Sequence, residues 1–219
     1  MSIIKKVMKQ DDSMKVYRFE NGPFMVNTFV ALTDDEQRGF ILDPGSDIQP
    51  LIEELKKRNT SIEAIVATHA HIDHIAGVNL VRKNFDVPFY LNQNEHSLAR
   101  SISMQAGMFG VSDPGAITVE NDLPESGHIE IAGIKLELFH TPGHSPGSIS
   151  LLADNVLFSG DALFQMSIGR TDLPGGDYNT LINSIREKLF TLPDDTSVLP
   201  GHGPETSIGF EKKSNPFLQ

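Results

Sequence analysis

Three imidazoles and a carboxylate fall within one short run, His69-Ala70-His71-Ile72-Asp73-His74. An Ile- and Val-rich apolar stretch precedes it at 62–67, and after it Ile75, Val78, Val81 and Phe85 keep helical spacing. The run therefore reads as a loop between a buried strand and a helix, a place where a rigid scaffold presents functional groups. Side chains alternate along extended backbone, so His69 and His71 project to one side, while Asp73 and His74 start the next element and face them from beside. Imidazole nitrogen and carboxylate oxygen suit zinc or iron, and a catalytic site keeps a coordination position for water. The chain contains no Cys. Disulfides, thiolate nucleophiles and sulfur-ligated metal are excluded, and any metal must be held by His and carboxylate.

The same grammar recurs further along, at Thr141-Pro142-Gly143-His144, Ser159-Gly160-Asp161 and Leu199-Pro200-Gly201-His202. Each places a ligand type in a Gly-containing turn after a predicted strand. Taken singly, each is a turn residue; taken together, they complete a site. His96, His128 and His140 stand apart from such turns and read as ordinary core or surface residues.

The elements that must position these groups follow from periodicity. Strands are predicted over 14–20, 24–32 and 39–42, joined by the turn signals Asn21-Gly22-Pro23 and Thr33-Asp34-Asp35. Ser46-Asp47-Ile48-Gln49 has the form of a capping box before a helix carrying Ile48, Leu51, Ile52 and Leu55. A loop-rich stretch is predicted over 107–127, then strands over 128–131, 134–139, 148–152 and 156–158. A last helix starts near Asp177 with Tyr178, Leu181, Ile182, Ile185 and Leu189 on one face, before a strand over 197–199. Each half is a strand run followed by helix and strand, which implies two sheets packed face to face under helices.

Length and charge narrow the function. With 219 residues the chain can bury a real core. Against 18 Lys+Arg stand 29 Asp+Glu, and a formal charge of -11 repels the polyphosphates that non-specific nucleic-acid binding must attract. Nucleic acid and anionic membrane are not expected partners. Lys5, Lys6, Lys9, Asp11 and Asp12 stand where a secretory leader needs an apolar run, so a cytoplasmic protein is expected.

The ordered set of ligand types resembles the metallo-β-lactamase superfamily, whose pattern is His-x-His-x-Asp-His followed by a separate His, an Asp and a final His. All seven positions are present between His69 and His202. The resemblance implies an α/β (α+β) fold: a four-layer αββα sandwich of two mixed β-sheets with helices outside, forming a single domain over 1–219. It implies two divalent metal ions, zinc by default with iron or manganese tolerated. His69, His71 and His144 hold one ion, Asp73, His74 and His202 the other, and Asp161 bridges them. A metal-bridging hydroxide is the implied nucleophile, with Asp73 also orienting it as a catalytic group. Asp43, in Leu42-Asp43-Pro44-Gly45, looks like the family's outer partner of a ligating His and equally like a turn carboxylate.

Within the superfamily, a secreted β-lactamase should carry a leader and usually lacks the bridging Asp, and RNA-processing branches need basic surfaces. The stretches Ser159-Gly160-Asp161-Ala162-Leu163-Phe164 and Ser167-Ile168-Gly169-Arg170-Thr171-Asp172-Leu173-Pro174-Gly175-Gly176-Asp177 resemble short-form glyoxalase II, as do Gly201-His202-Gly203-Pro204 and Asn215-Pro216-Phe217. That likeness implies a thioester hydrolase of the hydroxyacylglutathione hydrolase type, acting on a small, anionic thioester. The helical extension with which the long form grips glutathione has no counterpart in the 17 residues after His202. Arg170 falls where the long form has a basic glutathione contact, but the nearby aromatic partner is replaced by Asp172. Arg170 is thus a substrate-binding candidate or an ion-pair partner of Asp172. A mononuclear iron persulfide dioxygenase shares the ligand motifs and is the alternative. A non-catalytic metal module is disfavoured because a structural zinc site needs four ligands and not seven.

Overall fold

Strict alternation along the central strands decides the architecture. In the strand at Val26–Thr33, Phe29 and Ala31 point to one apolar cluster and Val30 and Leu32 to another, so both faces of its sheet are covered. The computed structural model describes residues 5, 6 and 14–219; Lys9, Asp11 and Asp12, cited above against a leader, lie outside the described residues. The first sheet runs in chain order through β1 (Lys5–Lys6), β2 (Met14–Asn21), β3 (Val26–Thr33), β4 (Arg38–Leu42), β5 (Ser61–Val66), β6 (Phe89–Asn92) and β7 (Asn121–Leu123). β1 to β4 pair antiparallel and β4 to β7 pair parallel.

The second sheet repeats the plan. β8 (Ser126–Ile131), β9 (Ile134–His140), β10 (Ile149–Ala153) and β11 (Val156–Gly160) form an antiparallel meander. A two-stranded ribbon, β12 (Leu163–Phe164) and β13 (Ser167–Ile168), then precedes β14 (Ser197–Pro200), which pairs parallel with β11, and β15 (Thr206–Ser207) at the edge. One apolar cluster takes residues from both sheets, and Phe29 meets Phe158 across the interface with ring centroids 5.4 Å apart.

The outer layers are helical. α1 (Gln49–Arg58), α2 (Ile72–Ile75), α3 (Val78–Phe85), α4 (His96–Arg100) and α5 (Ile102–Phe109) contribute to the cluster outside the first sheet; α6 (Tyr178–Glu187) and α7 (Ile208–Ser214) cover the second. The result is the αββα order of layers. Leu51, Ile52 and Leu55 of α1 are fully buried, each worth about 1.5–3 kcal/mol relative to exposure. Among the described residues no helix is long and apolar enough to cross a membrane.

Three expectations need correction. The capping box does not form: α1 starts at Gln49 with Ile48 as an unassisted cap, because Asp47 turns left-handed (φ 57°) and Pro50 supplies a first-turn residue that needs no N–H acceptor. The helix after Asp73 is two helices, broken at Gly77, whose N–H donates to Pro44 O at 2.8 Å and where any side chain would strike the Pro44–Gly45 backbone. The helix starting near Asp177 is not the last, since α7 follows over Ile208–Ser214, and Leu189 lies beyond the end of α6 in a separate turn.

Candidate metal centre

Five strands deliver the clustered side chains by ending at the same edge of the sandwich. The turn after β4 holds Asp43, the loop after β5 runs through Thr68 to His74, the turn after β9 holds His144, Asp161 follows β11 directly, and His202 follows β14. Asn27, at the start of β3, ties the two sheets there: its N–H donates to Gly201 O at 2.7 Å and its side chain to Pro200 O and Gly203 O at 2.9 and 2.8 Å. The His144 turn rests on α6, where Ser184 Oγ donates to Pro142 O at 2.8 Å and Asp177 caps the helix by accepting from Thr180 N–H.

The groups converge in three overlapping sets. Ligand atoms lie within 4.8 Å of one another in His69, His71 and His144, in Asp73, His74 and His202, and in His69, His74 and Asp161, which links the first two. His144 Nε2 is 2.9 Å from His71 Nδ1 and 3.2 Å from His69 Nε2. His202 Nε2 is 3.1 Å from Asp73 Oδ2. Asp161 stands between the sets, with Oδ1 3.4 Å from His74 Nε2, and Oδ2 3.5 Å from His144 Nε2 and 3.6 Å from His202 Nε2. Gly201 makes room for this, because a side chain there would collide with Asp161 Oδ1 and the His74 ring.

The remaining ring nitrogens are held from behind. His144 Nδ1–H donates to Arg170 O at 2.7 Å and His202 Nδ1–H to Phe24 O at 3.1 Å. His69 Nδ1 lies 3.0 Å from Thr68 Oγ1, whose hydroxyl donates to Asp43 Oδ2 at 2.9 Å. Asp43 Oδ1 also accepts from Thr68 N–H at 2.7 Å, and Oδ2 lies 3.1 Å from His74 Nδ1 as an ion pair. Such partners fix ring orientation, leaving the opposite nitrogens of His69 and His144 as lone pairs toward the site and aiming those of His74 and His202 at it, where a proton or a cation can sit.

Charge in the cluster is divided. Burial, then the neighbouring His74, keeps His69 well below the usual imidazole range, and burial with His144 lowers His71 to about 3. Burial opposes charge on His74 as well, but Asp161, Asp43 and Asp73 outweigh it and raise that imidazole well above its ordinary value. Burial likewise works against ionised Asp161 and Asp73, yet His74 lowers both. His74 Nε2 and Asp161 Oδ1 are buried, face each other and have no hydrogen-bond partner. Converging imidazole nitrogens, neutral at His69 and His71, with ionised carboxylates and orphaned buried polar atoms are the donor set a divalent cation satisfies.

All seven sequence-predicted ligand positions are brought together. Arg170 is placed at the cleft but paired: Nε and Nη2 both donate to Asp172 at 2.7 Å, and the pair is more than half exposed. Asp43 is buried and reaches across the fold to Thr68, so it is not merely a turn carboxylate. His96 and His140 find ordinary partners in Asp122 and Pro146 O. Sequence reasoning missed Thr68, Asn27, Glu95 and Gln105. Glu95 is buried and accepts from Ala70 N–H at 2.8 Å and Gly147 N–H at 2.6 Å; Gln105 accepts from Ile72 N–H at 3.0 Å. Their one sequence signal is a polar side chain inside an otherwise apolar strand or helix, or in a turn.

Residues 21–202 match the Metallo-beta-lactamase superfamily domain. The chain belongs to the metallo-β-lactamase superfamily. This superfamily member is 40% identical to hydroxyacylglutathione hydrolase GloC of Haemophilus influenzae over 84% of its own length and 89% of that protein. Among solved structures, that of the BLEG-1 B3 metallo-beta-lactamase is 42% identical with a TM-score of 0.87, covering 93% of this chain and 99% of that one. TTHA1623, solved in a di-iron-bound form, is 34% identical with a TM-score of 0.83, covering 92% and 99%. The superfamily member is a metal-dependent hydrolase whose clustered His and Asp residues imply divalent metal.

Proposed function

We propose that the protein hydrolyses thioesters of the hydroxyacylglutathione type, with His69, His71 and His144 holding one metal ion, Asp73, His74 and His202 a second, and Asp161 shared. The observation that carries the reading is the pair of ligand sets meeting at one buried carboxylate beside an open cleft of about 400 Å³. The likeness to GloC supports the thioester over other acyl substrates.

When bound, a pair of divalent ions supplies an ionised water at neutral pH and polarises the carbonyl under attack. Asp73 is ionised at neutral pH and reaches the cleft, so it can accept a hydrogen bond from the ionised water and aim its oxygen at the acyl carbon. The water oxygen bonds to the acyl carbon, the carbon–sulfur bond breaks, and the sulfur leaves as thiolate. Phe24, Phe109, Phe164 and Ile168 give the cleft apolar walls beside the ligand cluster. Arg170 offers a cation to an anionic thiol once Asp172 yields it. Asp172→Asn should therefore lower KM for S-lactoylglutathione several-fold with little change in kcat, and Arg170→Ala should raise it. Unchanged KM in both variants would limit the pair to holding its loop.

The deciding experiment measures metal content and S-lactoylglutathione hydrolysis on the same sample. Two ions per chain with turnover, lost on chelation and restored by zinc, iron or manganese, are expected. One ion per chain, no thioester turnover and oxygen uptake with glutathione persulfide would move the assignment to the dioxygenase. The likeness to BLEG-1 favours a second reading, β-lactam hydrolysis by the same groups; a chromogenic cephalosporin in the same assay ranks the two by kcat/KM.

A further inference from the structure

The cleft at the ligand cluster is not the only hollow that Asp73 borders. An adjoining one of about 500 Å³ shares Phe24, Ile72 and Asp73 with it. Its other walls come from the β2–β3 turn at Pro23, the bend before α1 at Asp47, and the segment after α5 at Val111 and Ser112. Phe24, which borders both hollows, meets Phe109 edge to face with centroids 5.7 Å apart, so an aromatic ridge bridges the turn and α5 where the two hollows adjoin.

A bond that is hydrolysed has a group on each side, and two hollows meeting at the carboxylate give each group a place. Charge decides which goes where. Asp73 borders both hollows; the cleft at the ligand cluster adds Asp161 and the cation Arg170, whereas the second hollow adds Asp47 and has no Lys or Arg among its lining residues. An anionic thiol therefore finds its cation in the first, once Asp172 yields it, and none in the second. The second hollow is walled mainly by carbon, from Pro23, Phe24, Ile72, Ala76 and Val111, and has the size of cavities that hold drug-sized ligands. Resting on the thioesterase reading, we infer that this hollow is the acyl subsite and that the preferred acyl group is apolar and larger than lactoyl.

The test uses metal-loaded protein and a series of S-acyl glutathiones from acetyl to hexanoyl. kcat/KM should rise roughly twofold per methylene, about sixteenfold over the four methylenes of the series, as chain is buried in the hollow. Ser112→Trp fills the hollow from an exposed position and should flatten that series, while a series varying the thiol at constant acyl keeps its wild-type ratios. A second readout is calorimetric: S-hexyl glutathione, which cannot be hydrolysed, should bind several-fold tighter than S-methyl glutathione, and the difference should vanish in Ser112→Trp. A flat or falling acyl series in protein that hydrolyses the acetyl and lactoyl thioesters overturns the acyl subsite and leaves the thioesterase reading standing. No hydrolysis of any thioester overturns that reading, and equal affinities for the two thioethers then overturn the hollow as a chain-binding site.

Discussion

Asp43 shows how much one side chain can carry without touching the reacting atoms. Its backbone is left-handed (φ 51°), its carboxylate is buried, and it serves Thr68 N–H, Thr68 Oγ1–H and His74 Nδ1 together. Through Thr68 it orients His69, and directly it orients His74, so one carboxylate aims a member of each ligand set. Replacing Asp43 by Ala should cost 10- to 100-fold in metal affinity, the usual price of losing such a partner. Competition with a chromogenic chelator measures it, and wild-type affinity in the variant would reduce Asp43 to a feature of the turn.

At the scale of elements, the ligand loops are irregular backbone and need bracing from outside. Glu95, just before α4, bonds the backbone of the His69–His74 loop at Ala70 and the turn before β10 at Gly147, while Gln105 of α5 bonds Ile72. On the other wall, Glu211 of α7 accepts from Met166 N–H and Thr206 Oγ1–H, and Asn215 donates to Ser167 O, which pins the β12–β13 ribbon that lines the cleft. Glu95→Gln places an amide NH₂ against one backbone N–H and weakens the bond to the other. The loss should be about 2 kcal/mol, seen as a melting temperature lower by roughly 4–8 °C. A melting temperature within a degree of wild type would show that the loop holds itself.

For the whole molecule, the cluster makes metal-free stability depend on pH in two directions. Below the ordinary imidazole value of 6.5 the unfolded chain protonates His69 and His71, which the fold keeps neutral, His71 down to about 3. Stability therefore rises with pH across that window. Above 6.5 the fold retains protons on His74 and His202 that the unfolded chain has released, so stability falls as pH passes through their raised values. Chelated protein should melt highest near pH 6.5. A divalent ion displaces the protons from His74 and His202, so loading should raise the melting temperature and carry the optimum to higher pH. Thermal melts between pH 5 and 9 with and without metal check this, and a monotonic rise with pH in chelated protein would contradict it.

What the residues by themselves determine is the order of ligand types and the period of the elements around them. His-x-His-x-Asp-His, the Gly-turn His and Asp positions, and alternation along β2 to β5 and β8 to β11 are local patterns, and both the sheet-and-helix plan and the seven converging side chains follow from them. Contacts distant in sequence are not written locally. That Glu95 and Asn27 brace loops far along the chain, and that Gly77 breaks the helix after Asp73 against Pro44, were decided by which surfaces the two sheets bring together. A buried carboxylate or amide takes whichever backbone group is left unpaired beside it, and that neighbour exists only once the layers have packed.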